Sequence, residues 1–82
     1  MNLELITPDQ KVFSGQADRV QLPGIDGMFE VLDRHAPLIS ALKSGRIKIT
    51  TGKTVKLIDI SSGFAEVLNN NVIVLAESAT EL

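Results

Sequence analysis

Eighty-two residues make room for one domain and too little for two. A chain this short buries only about 60–65% of the surface its unfolded form exposes, so it is marginal alone and gains from a partner. Eight Lys and Arg against ten Asp and Glu give no field to hold nucleic acid or an anionic membrane, and the lack of Cys excludes a disulfide framework and a thiolate metal site.

The dominant rhythm is period two, interrupted by turn residues every eight to ten positions. Met1 runs almost directly into Leu3-Glu4-Leu5, so no signal or transit peptide is expected ahead of the first strand. Leu3 and Leu5 alternate with Asn2 and Glu4, and Thr7-Pro8-Asp9 ends that strand because Pro8 has no N–H for a ladder. Val12-Phe13 precedes a break at Ser14-Gly15. Val20 and Leu22 alternate with Arg19 and Gln21 up to Pro23-Gly24. The six residues Pro37–Leu42 suit a short helix opened by Pro37 or a strand after a Pro-bounded turn, and both remain open.

Ile47 and Ile49 alternate with Arg46, Lys48 and Thr50, and Thr51-Gly52-Lys53 predicts a hairpin turn into Thr54–Ile60. There the phase is divided: Val55 and Leu57 suit one face, Ile58 and Ile60 the other, which predicts a bulge or cover on both faces. Ser61-Ser62-Gly63 marks a bend before Ala65 and Val67. Asn69-Asn70-Asn71 is a tight turn, since Asn tolerates positive φ. Val72–Ala76 is apolar on both faces and predicts a central strand in the core. It is the longest apolar run, far short of the ~20 residues that span a bilayer. Beyond it, Glu77–Leu82 carries no predicted element. Many short strands at regular spacing predict an all-β sandwich or barrel in one domain, residues 1–82.

Chemistry is scarce. His35 is the only histidine; a catalytic role needs a nucleophile or an orienting carboxylate, and Ser61-Ser62-Gly63 resembles a turn more than a nucleophile elbow. One His without Cys is a poor start for zinc. Pro23-Gly24-Ile25-Asp26-Gly27 lacks the Lys-Ser/Thr pair and the following helix of a phosphate-binding loop. Asp26 with Glu30 or Asp33 reads as solvated carboxylates beside a turn. Three Phe, with no Trp or Tyr, suit a core rather than a stacking platform. Lys43, Arg46, Lys48, Lys53 and Lys56 read as a solvated strand face. Lys53 lies in a turn but lacks the neighbours of a lipoyl- or biotinyl-carrier lysine. An interaction module remains.

Two motifs then carry a resemblance. The first is Pro23-Gly24-x-x-Gly27-x-Phe29-x-Val31-Leu32-x-x-His35-Ala36-Pro37-Leu38. The second is Ser62-Gly63-Phe64-x-Glu66-Val67-x-x-Asn70-x-Val72-x-Val74-Leu75-Ala76-Glu77-x-Ala79. With Thr7-Pro8, Phe13-Ser14-Gly15 and Leu42-Lys43-x-Gly45, the chain resembles the N-terminal domain of the epsilon subunit of F-type ATP synthases. The resemblance implies a flattened ten-stranded β-sandwich of two five-stranded sheets. It implies a non-catalytic rotor part, one copy per complex, that fastens the gamma subunit to the loops of the c ring so that proton- or sodium-driven rotation is coupled to ATP synthesis. Its place would be peripheral, on the cytoplasmic face of a bacterial inner membrane or the plastid equivalent, with no cofactor.

Carried over by position, Thr7, Pro8, His35, Ala36, Pro37 and Leu38 match the gamma-facing side, and Gly24, Ile25, Asp26, Gly27, Met28 and Phe29 match the c-ring end. Two departures stand out: Met28 occupies a position that is acidic in many relatives, and Asp33-Arg34 replaces a Pro-Gly-like pair. The sequence also lacks the helical hairpin that follows this domain in most of the family, so no inhibitory arm and no ATP site are expected.

Overall fold

A computed structural model describes all 82 residues. Ten strands and no helix follow in chain order: β1 (Asn2–Ile6), β2 (Lys11–Gln16), β3 (Arg19–Gly24), β4 (Gly27–Leu32), β5 (Leu38–Leu42), β6 (Gly45–Thr51), β7 (Thr54–Ile60), β8 (Gly63–Leu68), β9 (Asn71–Ala76) and β10 (Ala79–Glu81). The all-β expectation holds. The alternating residues account for the core: Leu3 and Leu5, Val20 and Leu22, Ile47 and Ile49, Ile58 and Ile60, Ala65 and Val67, and Val72 and Val74 all point inward and are buried. Period-two spacing puts each pair on one side of its strand, so one apolar layer forms between two β-faces.

The strand order is β10-β7-β6-β3-β5-β8-β9-β1-β2, with β4 on β3. All neighbours are antiparallel except β1 and β9, which run parallel in register from Asn2–Asn71 to Ile6–Leu75. The expected pair of separate five-stranded sheets is therefore replaced by one folded-over ten-stranded sheet. Its two halves, β4-β3-β6-β7-β10 and β5-β8-β9-β1-β2, are joined where Gly24 pairs with Leu42. Flanking bonds from Ile25 N–H to the Ala41 carbonyl (3.2 Å) and from Lys43 N–H to the Pro23 carbonyl (2.9 Å) make the junction continuous. The body measures 26 × 25 × 21 Å, only slightly flattened.

Several local expectations are resolved by pairing. Pro37–Leu42 contributes a strand, β5, because β8 offers it a full ladder from Val67 to Gly63. The divided phase of β7 needs no bulge: its register with β6 is unbroken from Thr51–Thr54 to Gly45–Ile60. Ile58 and Ile60 face the core, and Val55 is left exposed. The irregularity lies instead between Leu5 and Ile6. β4 and β10 carry no clear sequence signal and exist because β3 and β7 offer them open edges. The turns behave as their residues dictate. Asn69 and Asn70 hold φ of 50° and 60°, and Gly52 holds 59° in the two-residue β6–β7 turn. β9 is central, between β8 and β1, as expected, but only one of its faces is covered.

Candidate functional site

The uncovered face is the outer side of β5, β8, β9 and β1. Strand register places Ala41, Phe64, Leu75 and Ile6 side by side on one rung. The next rung holds Ile39, Glu66, Ile73 and Glu4. Ile39 is 74% exposed, Phe64 59% and Leu75 54%, and they form one contiguous apolar surface rather than scattered singles. Along the whole first rung lies an open depression of about 620 Å³, lined by Ile6, Thr7, Pro8, Ala41, Phe64 and Leu75 among others, with Glu77 at its margin. The opposite outer face, on β3, β6 and β7, is mixed: charged and polar side chains alternate with Val55 and Leu57. Arg46 there donates to Asp59 (Nε–Oδ1 2.8 Å), beside Gln21 and Lys48.

The residues matched to the gamma-facing side divide between the two ends of the apolar face. Thr7 and Pro8 follow β1 and line the depression. His35, Ala36 and Pro37 are exposed in the loop before β5, at the opposite end, beside the β8–β9 turn. Leu38 is half-buried against the core, and Ile39 stands outward in its place. The loop is held by a knot of bonds. Arg34 N–H donates to Asn70 Oδ1 (2.8 Å), His35 N–H to the Leu32 carbonyl (3.2 Å), and the Met1 ammonium to the Asp33 carboxylate. That hydrogen bond from the ammonium, opposed by a smaller desolvation effect, holds the Asp33 carboxyl below its usual value. Arg34 takes the tight turn itself, at φ 63°.

Gly24–Phe29 forms the β3–β4 hairpin, at the Thr7–Pro8 end of the molecule, since Ile25 bonds to Ala41. Ile25 and Met28 are 60% and 59% exposed, Asp26 is exposed at the tip, and Phe29 turns back to pack on the core. Gly27 holds φ 131°, a conformation open to glycine.

No catalytic constellation assembles. His35 Nδ1 lies 2.7 Å from the Ala36 carbonyl, and the nearby Asp33 is engaged by the N-terminus. No group of three or more His, Cys, Asp or Glu gathers at metal-binding distance. The Asp59 carboxyl is lowered chiefly by its hydrogen bond from Arg46, whose guanidinium is raised in turn; this is a surface pair on β7 and β6. The sequence places Phe64, Ile73 and Leu75 in the core and leaves Ile39 unassigned; instead Phe64 and Leu75 stand outward and are more than half exposed, because nothing covers the outer side of β8 and β9. The available signal was an apolar residue on the outward phase of both β8 and β9, which a strand buried on one side does not need.

A small β-sandwich with one bare apolar face has the form of a domain that docks on another. The sequence model of the ATP synthase delta/epsilon chain, β-sandwich domain, matches residues 1–82, and the chain belongs to that family, whose members are non-catalytic chains of the synthase. The ATP synthase epsilon chain of Caulobacter vibrioides is 41% identical over 81 residues, covering 99% of this chain and 94% of that one. The epsilon chain of Maridesulfovibrio salexigens is 47% identical over 77 residues, and the match spans 54% of its length. Among solved structures, a chain of the Euglena gracilis mitochondrial ATP synthase (OSCP/F1/c-ring) superposes with a TM-score of 0.90 at 22% identity, over 96% of this chain and 51% of that one. A chain of the Tetrahymena thermophila central stalk/c-ring assembly gives 0.84 at 13% identity, over 96% and 64%. At those identities the likeness is one of fold.

Proposed function

We propose that the chain is a rotor part of a proton- or sodium-translocating F-type ATP synthase, one copy per complex at the cytoplasmic face of the membrane, coupling ring rotation to the gamma shaft. The observation that carries this reading is the bare apolar face bounded by Thr7–Pro8 at one end and His35–Leu38 at the other. Apolar area of this kind is covered in a stable complex, and a domain this small gains stability from the cover. In this reading gamma lies on that face. The β3–β4 hairpin, Gly24–Phe29, meets the c-ring loops through Ile25 and Met28, an apolar contact where many relatives present an acidic side chain. A stiff folded-over sheet packed on one core transmits torque between two contacts without bending.

Native mass spectrometry of the chain mixed with a gamma-containing head complex tests this. One copy per gamma is expected. A folded chain that forms no complex with intact gamma refutes it.

A further inference from the structure

The apolar face has dimensions and a charge pattern that say what lies on it. Its first rung crosses four strands, three intervals of about 4.8 Å, so it runs about 14–15 Å. The second rung lies two residues along, about 7 Å away. A patch of that shape matches about three turns of a single α-helix laid across the strands, with apolar side chains at i, i+3 or i+4 and i+7. Two carboxylates flank the first rung on opposite sides: Glu66 from β8, and Glu77 just past β9. Neither has an ion-pair partner, whereas Glu4 on the same face is neutralised by Lys11 at 2.6 Å.

These charges discriminate among occupants. In a symmetric contact with a second copy, each face meets its own kind. Glu66 and Glu77 of both copies would then enter an interface in which Lys11 is already taken and Lys43, two residues past Ala41, is the one free cation, so carboxylates outnumber the cations that could pair with them. An anionic lipid surface is repelled for the same reason. A helix carrying Lys or Arg beside its apolar stripe satisfies both features.

We infer that the face binds one basic amphipathic helix of the rotor partner. A large apolar side chain of that helix seats in the depression between Ile6, Ala41, Phe64 and Leu75, and basic residues on either flank reach Glu66 and Glu77. This rests on the proposed rotor role and adds the chemistry of the contact. Buried apolar anchors carry most of the affinity, and rim charges set association rate and salt dependence.

Binding of the chain to a gamma-containing head complex, measured at low and high salt, separates the parts. Phe64→Ser and Leu75→Ser are expected to weaken binding by about tenfold or more, as loss of a central anchor does, while their melting curves stay at the parental position because both side chains are more than half exposed. Glu66→Lys with Glu77→Lys is expected to slow association at low salt, with partial recovery at high salt. Glu66→Gln with Glu77→Gln should flatten the salt dependence. If both charge variants bind with the parental rate and salt slope, the helix is not basic and the inference falls, while the rotor role survives. If Phe64→Ser and Leu75→Ser bind normally but His35→Ala does not, the contact lies elsewhere on the domain and the inference again falls. Failure of the unaltered chain to bind removes the rotor role itself, and concentration-dependent dimerisation through this face assigns it to a second copy.

Discussion

Gly63 opens β8 opposite Ala76 of β9. A Cβ built there falls inside the van der Waals envelope of the Leu75 carbonyl oxygen and 3.0 Å from Ala76 Cα. Both obstacles are backbone in the neighbouring strand, so no side-chain rotation relieves them. Gly63→Ala must push β8 and β9 apart by about 1 Å at the first position of their ladder. Overpacking of this kind costs about 1–3 kcal/mol. Weakening one or two ladder bonds adds roughly 0.5–1.5 kcal/mol each. The total, roughly 1.5–6 kcal/mol, is a large share of the roughly 4–12 kcal/mol available to a domain of this size. At about 4–8 °C per kcal/mol, the melting temperature should fall by roughly 10–40 °C. Circular dichroism melts of the two proteins in one buffer measure this. Gly27→Ala is the internal comparison: nothing lies within 4 Å of its Cβ, but φ is 131°, so its cost is backbone strain alone, about 1–3 kcal/mol. Gly63→Ala melting within a few degrees of the parent, or above Gly27→Ala, refutes the steric argument.

Two further outcomes are expected. Asn70 combines a φ of 60° with an acceptor for Arg34 N–H, so Asn70→Ala loses both. Asn70→Gly keeps the turn and loses only an exposed bond that water replaces. Alanine should melt lower than glycine by the equivalent of about 1 kcal/mol, and the reverse order contradicts the assignment of strain to this turn. Asp59 is held below the ordinary carboxylate value of about 3.9 by the hydrogen bond from Arg46. The pair therefore contributes stability above that pH and loses it as pH falls through the lower folded-state value. Melting temperatures followed from neutral pH to about pH 2 should drop less for Asp59→Asn than for the parent; parallel curves would show that the pair contributes nothing.

Much of the fold is legible in the chain because local physics writes it there. Leu3 and Leu5, Ile47 and Ile49, and Val72 and Val74 are spaced so that only a one-sided strand buries them together. Asn69-Asn70 and Gly52 name their turns through the φ values they tolerate. Pro37–Leu42 is different. Six residues suit helix or strand equally, and β5 is decided by the unpaired edge of β8, which lies more than twenty residues away in sequence. β4 and β10 are decided the same way by β3 and β7.

The matched contact residues show the same division. Glycine, proline and histidine blocks in Gly24–Phe29 and His35–Leu38 are readable as sequence because they shape turns and mark a family. That Thr7–Pro8 and His35 sit at opposite ends of one face, with Ile39, Phe64, Ile73 and Leu75 between them, is not. It depends on β1 lying parallel to β9 and on β5 pairing with β8. Strand periodicity, turns, the all-β class and the family are all legible in the chain, since each is encoded within a few neighbouring residues or one motif. The tertiary structure alone decided which apolar side chains stay in water, because exposure depends on which strands meet, and pairing between distant segments leaves no local mark.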